Sequence, residues 1–320
     1  MKFKHICELK KGEKVEGFYL LKDINVKLTN GSNNKFLDMT FIDKTGDINA
    51  KLWEYKNGYD ELFKEHKIVF AKANVIEWKG KLQLKIDTMR LAEDSDDINI
   101  EDFVPTAPYD SKDMFEDVLR FKDKIKNEDI QNIVTAVLEE AGPDILYFPA
   151  AKSNHHAVRG GLLYHTTTML KGAEKLSEIY SFLNQDLLYA GIILHDISKM
   201  EEMIANSLGI VSEYSVEGQL LGHITMGVRR IERIAKELNV DKEISMLLQH
   251  MILAHHYYPE YGSPKKPMIP EAELLHHLDM IDSRMYDMNK ALNETNVGCF
   301  SDRISSLDNI SIYKSKFGRE

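Results

Sequence analysis

Cysteine is nearly absent from this 320-residue chain: Cys7 and Cys299 stand near opposite ends. With no Cys-x-x-Cys spacing, the pair excludes both a disulfide framework and a cysteine-built zinc knuckle, and a reducing cytoplasm is the expected setting. Long apolar runs are also missing. None approaches the ~20 residues that span a bilayer, and Met1-Lys2-Phe3-Lys4-His5 lacks the apolar segment of a secretion signal, so no membrane association is expected. Excess positive charge is missing too: 41 Lys and Arg face 51 Asp and Glu, a net charge of −10. That argues against a protein that coats nucleic acid by charge alone. The imbalance is uneven, however. Residues 1–95 hold 18 basic and 15 acidic side chains, whereas residues 96–119 hold one and eight. A slightly basic N-terminal region within an acidic chain either faces a polyanion or reflects ordinary scatter.

What is present divides at the acidic stretch. Before it, Val15–Leu21 with Ile24, Val26 and Leu28 reads as one long strand, followed by the turn cluster Thr29–Asn34. Alternating residues 36–42, a turn at Asp43–Asp47, and a third strand through Ile48, Ala50, Leu52 and Trp53 come next. Residues 59–67 suggest a short helix, and two further strands, 68–78 and 81–91, are split by Lys79-Gly80. Five strands with a helix between the third and fourth is the order of an OB-fold barrel, which also leaves few strand edges exposed. Most aromatics of so small a barrel belong in its core. Trp53 and Trp78, each followed closely by charged and turn residues, are the candidates for an outer stacking surface, with Lys35, Lys51, Lys72, Lys79 and Lys81 available for phosphate contacts.

The expected organisation is therefore multidomain: an all-β barrel over 1–95, an acidic linker over 96–110, and an all-α domain over 111–320. Helical periodicity covers 115–125 and 130–138, then 161–182, 185–199, 215–238, 241–256 and 270–292. Within these apolar patterns stand His165, His195-Asp196, His223, His255-His256 and Asp279. Burying such groups costs several kcal/mol (roughly 2–7) unless something satisfies them, and a divalent cation does so directly. Any one of them alone is more simply a satisfied core histidine; their combination on separate helices points to a metal site inside a bundle. Histidine with carboxylate and no cysteine favours Mn, Fe, Co, Ni or Mg over a structural zinc cage.

The order His165, His195-Asp196, Asp279, in the context Gly160-Gly161-Leu162-Leu163-Tyr164-His165 and Leu194-His195-Asp196-Ile197-Ser198-Lys199, resembles the HD superfamily of metal-dependent phosphohydrolases. The resemblance implies that these four residues hold a first ion, and that His223, His255 and His256 extend the site to a second, with Asp196 shared. Asp279 is preferred to Asp282, one helical turn on, which is left as a supporting or surface carboxylate. Lys199 is placed to stabilise charge on a phosphate, or is a solvated helix-end lysine. Arg159 could clamp a phosphate or serve as a surface or capping residue. The loop Tyr261–Pro267, with Lys265, could line a substrate path or be a simple turn.

A barrel followed by an HD domain at this length is similar to the YhaM family of bacterial 3′→5′ exoribonucleases. Arg159–His165, His255-His256-Tyr257 through Gly262-Ser263-Pro264-Lys265, and Glu271-Ala272 with Leu274-Leu275-His276 carry that likeness across nearly the whole chain. It implies hydrolysis of single-stranded RNA, or in some members DNA, to nucleoside 5′-monophosphates, using Mn²⁺ first, with Co²⁺, Fe²⁺ or Mg²⁺ as alternatives and one or two ions bound. The competing expectations are an HD phosphohydrolase acting on nucleotides or cyclic dinucleotides, and a nucleic-acid-binding module whose helical domain is only structural. Self-association is left open by the 14 methionines and the apolar helical domain.

Overall fold

The computed structural model describes residues 4–317 apart from 30, 32, 94 and 154. Asn30 and Ser32 of the turn cluster, Asp94 of the acidic stretch, and Asn154 thus lie outside the described residues. The chain forms two compact units, Met1–Pro105 and Thr106–Glu320.

In the first unit, β1 (Lys14–Leu28), β2 (Lys35–Asp43), β3 (Gly46–Leu52), β4 (Ile68–Trp78) and β5 (Lys81–Leu91) close a barrel in the order β1-β2-β3-β5-β4. β1 pairs antiparallel with both β2 and β4, which a bulge between Leu21 and Asp23 allows by bending the strand. The parallel β3–β5 pair completes closure. This is OB-fold topology. Alternation sends Tyr19, Leu21, Leu37, Met39, Phe41, Val69, Ala71, Ala73 and Val75 inward, with Tyr19 stacked on Phe41 at 5.2 Å between ring centres. The short helix α1 (Tyr59–Leu62) is a single turn rather than the longer one expected. Its next residue, Phe63, adopts an extended backbone and buries its ring in the core.

The acidic stretch expected as a linker is divided at Pro105. Its first part is tied to the barrel by a two-pronged Arg90–Asp96 ion pair at 2.7 Å and by Lys44–Asp102 at 2.5 Å.

The second unit is helical: α2 (Ser111–Lys124), α3 (Glu128–Ala141), α4 (Gly161–Ile179), α5 (Gln185–Leu194), α6 (Lys199–Glu202), α7 (Val216–Glu237), α8 (Lys242–Ala254) and α9 (Pro270–Glu294), with a small hairpin, β6 (Met203–Ala205) and β7 (Val211–Tyr214), after α6. Side-chain caps open several of these helices: Asp110, Asn127, Asn184, Ser215 and Asp241 each accept hydrogen bonds from first-turn N–H groups. α5 is the centre. Every residue from Leu187 to Leu194 is buried, as a helix apolar on all sides must be, and α2, α3, α4, α8 and α9 pack around it. Its C-terminal end therefore opens into the interior of the bundle. No helix among the described residues is long and apolar enough to cross a membrane.

Candidate functional site

The end of α5 explains the first ligand candidates. The last carbonyls of a helix have no intrahelical partner. His195, just past Leu194, donates from Nδ1 to the Ile192 carbonyl at 2.7 Å. α8 repeats the device: His255 donates from Nδ1 to the Ile252 carbonyl at 2.7 Å. His256 donates from Nδ1 to the Tyr261 carbonyl at 2.7 Å, and its backbone N–H reaches the buried Ser263 hydroxyl at 3.0 Å. The expected basic loop thus braces a histidine, while Lys265 within it is exposed.

His223 depends on a break in α7. Gly222 has φ 69° and ψ 156°, a non-helical conformation in the left-handed half of the map that glycine tolerates best. The break frees the His223 N–H to donate to Glu202 Oε1 at 3.0 Å, while its Nδ1 lies 3.1 Å from Oε2. His165, on α4 and fully buried, places Nδ1 2.6 Å from Asp282 Oδ2.

A carbonyl can only accept, and each of the five rings uses Nδ1 toward an oxygen. Their Nε2 atoms are left to face one another and two carboxylates. Asp196 lies 3.4 Å from His195 Nε2, 3.5 Å from His223 Nε2, and 3.8 Å from both His165 and His255. Asp279 Oδ1 lies 3.4 Å from His165 Nε2. Among the described residues, the ligand-type atoms on this side fall into two groups, His165, His195 and Asp279, and Asp196, His223, His255 and His256; a third, His156, His165 and Asp282, lies on the Nδ1 side of His165. Asp196 belongs to the second and touches the first. Asp279 and Asp282 separate cleanly: Asp279 stands on the Nε2 side of His165 and Asp282 on its Nδ1 side.

Asp196 Oδ1, His223 Nε2 and His255 Nε2 are buried without a hydrogen-bond partner, and His195 Nε2 opposes His165 Nε2 at 3.3 Å. Buried polar atoms left unpaired together are what a cation would satisfy. The titration behaviour agrees. Burial opposes a charge on His165, but hydrogen bonds to Asp279 and Asp282 outweigh it and push its pKa up to about 10. Burial also opposes the charge on Asp196, but Lys199 and the surrounding histidines hold it well below the usual carboxylate range. Burial and neighbouring rings push His195, His255 and His256 down, toward the neutral form that binds metal.

An HD domain family model matches residues 162–284, the span of these side chains. A curated relative from Bacillus licheniformis, named 3′-5′ exoribonuclease YhaM, is 39% identical over 307 residues, covering 96% of this chain and 96% of its own. The chain belongs to the YhaM family. A second model, TraI_2, described as "Putative helicase", matches residues 106–186, a stretch without the glycine-rich, lysine-bearing loop that cradles nucleotide phosphates. Among solved structures, the barrel is similar to the second OB-fold domain of replication protein A from Methanococcus maripaludis (17% identity, 30% of this chain and 100% of that one, TM-score 0.25). It is also similar to the mitochondrial single-stranded DNA-binding protein Rim1 of S. cerevisiae (14% identity, 26% and 98%, TM-score 0.22). The barrel's identity as an OB-fold rests on its strand order.

Other expected site residues are placed differently. Lys199 stands at the cluster, its Nζ 2.7 Å from Asp196 Oδ2 and its side chain largely buried. The Arg159 guanidinium packs over the Tyr147 ring at 5.8 Å and its carbonyl accepts the Ala107 N–H. On the barrel, Trp53 and Trp78 are exposed. Trp53 stacks on Phe36 at 4.6 Å, with the Lys51 ammonium 5.6 Å from the Trp53 ring and Lys35 over Tyr55 at 5.3 Å. Lys72 is engaged by Glu16 at 3.0 Å.

Sequence reasoning assigned no role to Glu202 or His155. The glycine immediately before His223, inside a helical pattern, was the available signal for Glu202. The His155 ring lies 6.1 Å from that of His165, and burial, with His165 and Lys199 nearby, pushes its pKa down to about 4. It is thus a neutral hydrogen-bonding group beside the cluster at physiological pH.

Proposed function

We propose that the chain is a divalent-metal-dependent 3′→5′ exonuclease that releases nucleoside 5′-monophosphates from single-stranded RNA, with single-stranded DNA as a further candidate substrate, in the reducing cytoplasm. The supporting observation is the convergence of five imidazole Nε2 atoms on Asp196 and Asp279, with His223 Nε2, His255 Nε2 and Asp196 Oδ1 buried and without a hydrogen-bond partner. His165, His195, Asp196 and Asp279 would hold one cation, and Asp196, His223, His255 and His256 a second. The family resemblance makes Mn²⁺ the first choice, with Co²⁺, Fe²⁺ and Mg²⁺ as alternatives that the same histidine–carboxylate set admits. When bound, such cations polarise a phosphodiester and make water nucleophilic at neutral pH. The protein's own groups do the rest. Lys199 supplies a buried positive charge for the phosphoryl oxygens, and His155 offers a neutral ring able to donate or accept a proton. The exposed Trp53, backed by the buried Phe36 and flanked by Lys51, and the exposed Trp78 offer stacking and charge to a single strand.

The test is a 5′-labelled single-stranded RNA and DNA incubated with each of the four metals after chelator treatment. The expected result is a ladder shortening from the 3′ end, fastest with Mn²⁺. Hydrolysis of mononucleotides or cyclic dinucleotides in preference to oligonucleotides would move the assignment to a small-molecule phosphohydrolase. Undiminished activity of Asp196→Ala would overturn the site.

A further inference from the structure

Outside the converging set lies a buried histidine with no assigned role. His156 has a φ of 53°, a left-handed conformation that non-glycine residues seldom adopt, and its side chain is almost wholly buried. The surrounding backbone is fitted to hold it there. The His156 carbonyl accepts the Ala150 N–H at 3.1 Å. Gly161, at the start of α4, leaves room for that carbonyl, since a Cβ there would stand 2.0 Å from the His156 oxygen.

The ring reaches across to α9. Its Nε2 lies 2.8 Å from Asp282 Oδ2, and its face packs against Tyr286, one helical turn further, at 4.1 Å between ring centres. Oδ2 is the same oxygen that takes His165 Nδ1 at 2.6 Å. One carboxylate oxygen therefore receives two ring N–H groups, one from each side. These three residues could in principle hold an ion themselves, but the short N–O distances are those of charge-assisted hydrogen bonds. The remaining nitrogen of His165 faces the other cluster.

Asp282 also lines an open cavity of about 480 Å³ with Tyr164, Thr168, Met285, Tyr286 and Asn289. Without a second donor, its carboxylate is free to turn toward solvent there and release His165. We propose that His156 is a positioning residue: by pinning Asp282 Oδ2, it fixes the tautomer and direction of His165 and so sets the affinity of the site for its cation. The inference rests on the metal-dependent reading above and extends it to a residue remote from the cation.

The experiment uses the full chain, stripped with chelator and titrated with Mn²⁺ by calorimetry, alongside activity on a 5′-labelled oligonucleotide as a function of Mn²⁺. His156→Phe keeps a ring against Tyr286 and removes the N–H. His156→Gln keeps an N–H donor near the Nε2 position. The expected result for His156→Phe is a Mn²⁺ affinity lowered by roughly 10–100-fold. The activating concentration should rise in parallel, high Mn²⁺ should restore most turnover, and KM for the oligonucleotide should not change. His156→Gln should return the affinity to within about threefold of wild type, on the same principle. A wild-type Mn²⁺ isotherm for His156→Phe overturns the proposal, as does a loss of turnover that Mn²⁺ does not recover. If His156→Phe does not fold, Asp282→Asn carries the test, and wild-type Mn²⁺ affinity in that variant overturns the proposal equally. A wild-type protein that takes up no Mn²⁺ fails at the earlier step, refuting the metal reading rather than the relay alone.

Discussion

Lys199→Met separates the two things a lysine can do beside Asp196. The Asp196 side chain is only 4% exposed, and the Lys199 ammonium sits 2.7 Å from its Oδ2. Removing one partner of a buried ion pair costs about 3–5 kcal/mol, because the other is left charged and poorly solvated. In a unit the size of residues 106–320, each kcal/mol lowers the melting temperature by roughly 2–4 °C. The chelated variant should therefore melt roughly 6–20 °C below wild type. With Mn²⁺ bound, the cations take over compensation of Asp196, so the deficit should shrink by more than half. Turnover should behave differently. If Lys199 neutralises the phosphoryl oxygens, its loss should lower kcat by about 10²–10³-fold at saturating Mn²⁺, the scale of removing one transition-state donor. The assay is a pair of melts, with chelator and with Mn²⁺, plus kcat on a short oligonucleotide. A variant that melts and turns over like wild type refutes both halves and leaves Lys199 a helix-end lysine. A variant that melts early but turns over normally reduces it to a counterion.

The melting temperature of the chelated protein should peak near pH 6.5–7. Below that, His155, His195, His255 and His256 have depressed pKa values, so the unfolded chain binds more protons and stability falls with pH; His155, at about 4 against 6.5, contributes on the order of 3 kcal/mol. Above it, the raised pKa of His165 means stability is lost as pH climbs toward about 10; a melting temperature still rising from pH 7 to 9 would contradict the assignment. Because His165 is protonated without metal, Mn²⁺ binding at pH 7 should expel about one proton, read by calorimetry in buffers of different ionisation enthalpy; no buffer dependence would exclude His165 as a ligand. Trp53→Ala should weaken binding of a long single strand by about 1–3 kcal/mol with little effect on turnover of a dinucleotide. Unchanged anisotropy of a labelled oligonucleotide would remove that face from the interface.

Much of this was legible because it is periodic. Strict alternation over residues 36–42 marked the second strand, whose Leu37, Met39 and Phe41 are buried in the barrel core, and the limits of β4 and β5 agree with the pattern. The unbroken apolar run Leu187–Leu194 marked α5 as the buried helix, which is why the polar pair at its end stood out. What was not legible is local and short-range in sequence. β6 and β7 are three and four residues long, below the length at which any period shows. α5 was expected to continue to 199, but His195 caps the Ile192 carbonyl and the chain turns. The Lys44–Asp102 and Arg90–Asp96 pairs that fasten the acidic stretch to the barrel depend on register, which composition does not reveal. Glu202 resembles any acidic residue of a short helix until Gly222 breaks α7 and turns the His223 N–H toward it. The partnership of His156 with Asp282 spans 126 positions, and no local pattern announces it.

The histidines at the ends of α5 and α8 suggest why the site is built at helix termini. A histidine in mid-helix finds every nearby carbonyl already bonded, so nothing local selects its tautomer. One residue past the end, an unpaired carbonyl three residues back accepts Nδ1–H, leaving a helix terminus satisfied and Nε2 free as a ligand. The residue that follows, Asp196 after His195 and His256 after His255, is then delivered into the same cavity. Both C-termini also bring the negative end of a helix dipole toward the cluster, which favours a cation there. His165 and His223 lack such a carbonyl, one lying within α4 and the other just after a break in α7. Each instead takes a carboxylate from elsewhere in the chain, Asp282 and Glu202. This division has a consequence for mutation. The backbone-held pair, His195 and His255, resists loss of orientation by any single side-chain change nearby, whereas His165 and His223 depend on Asp282 and Glu202. Substitutions of those two carboxylates should therefore weaken metal binding without removing a ligand.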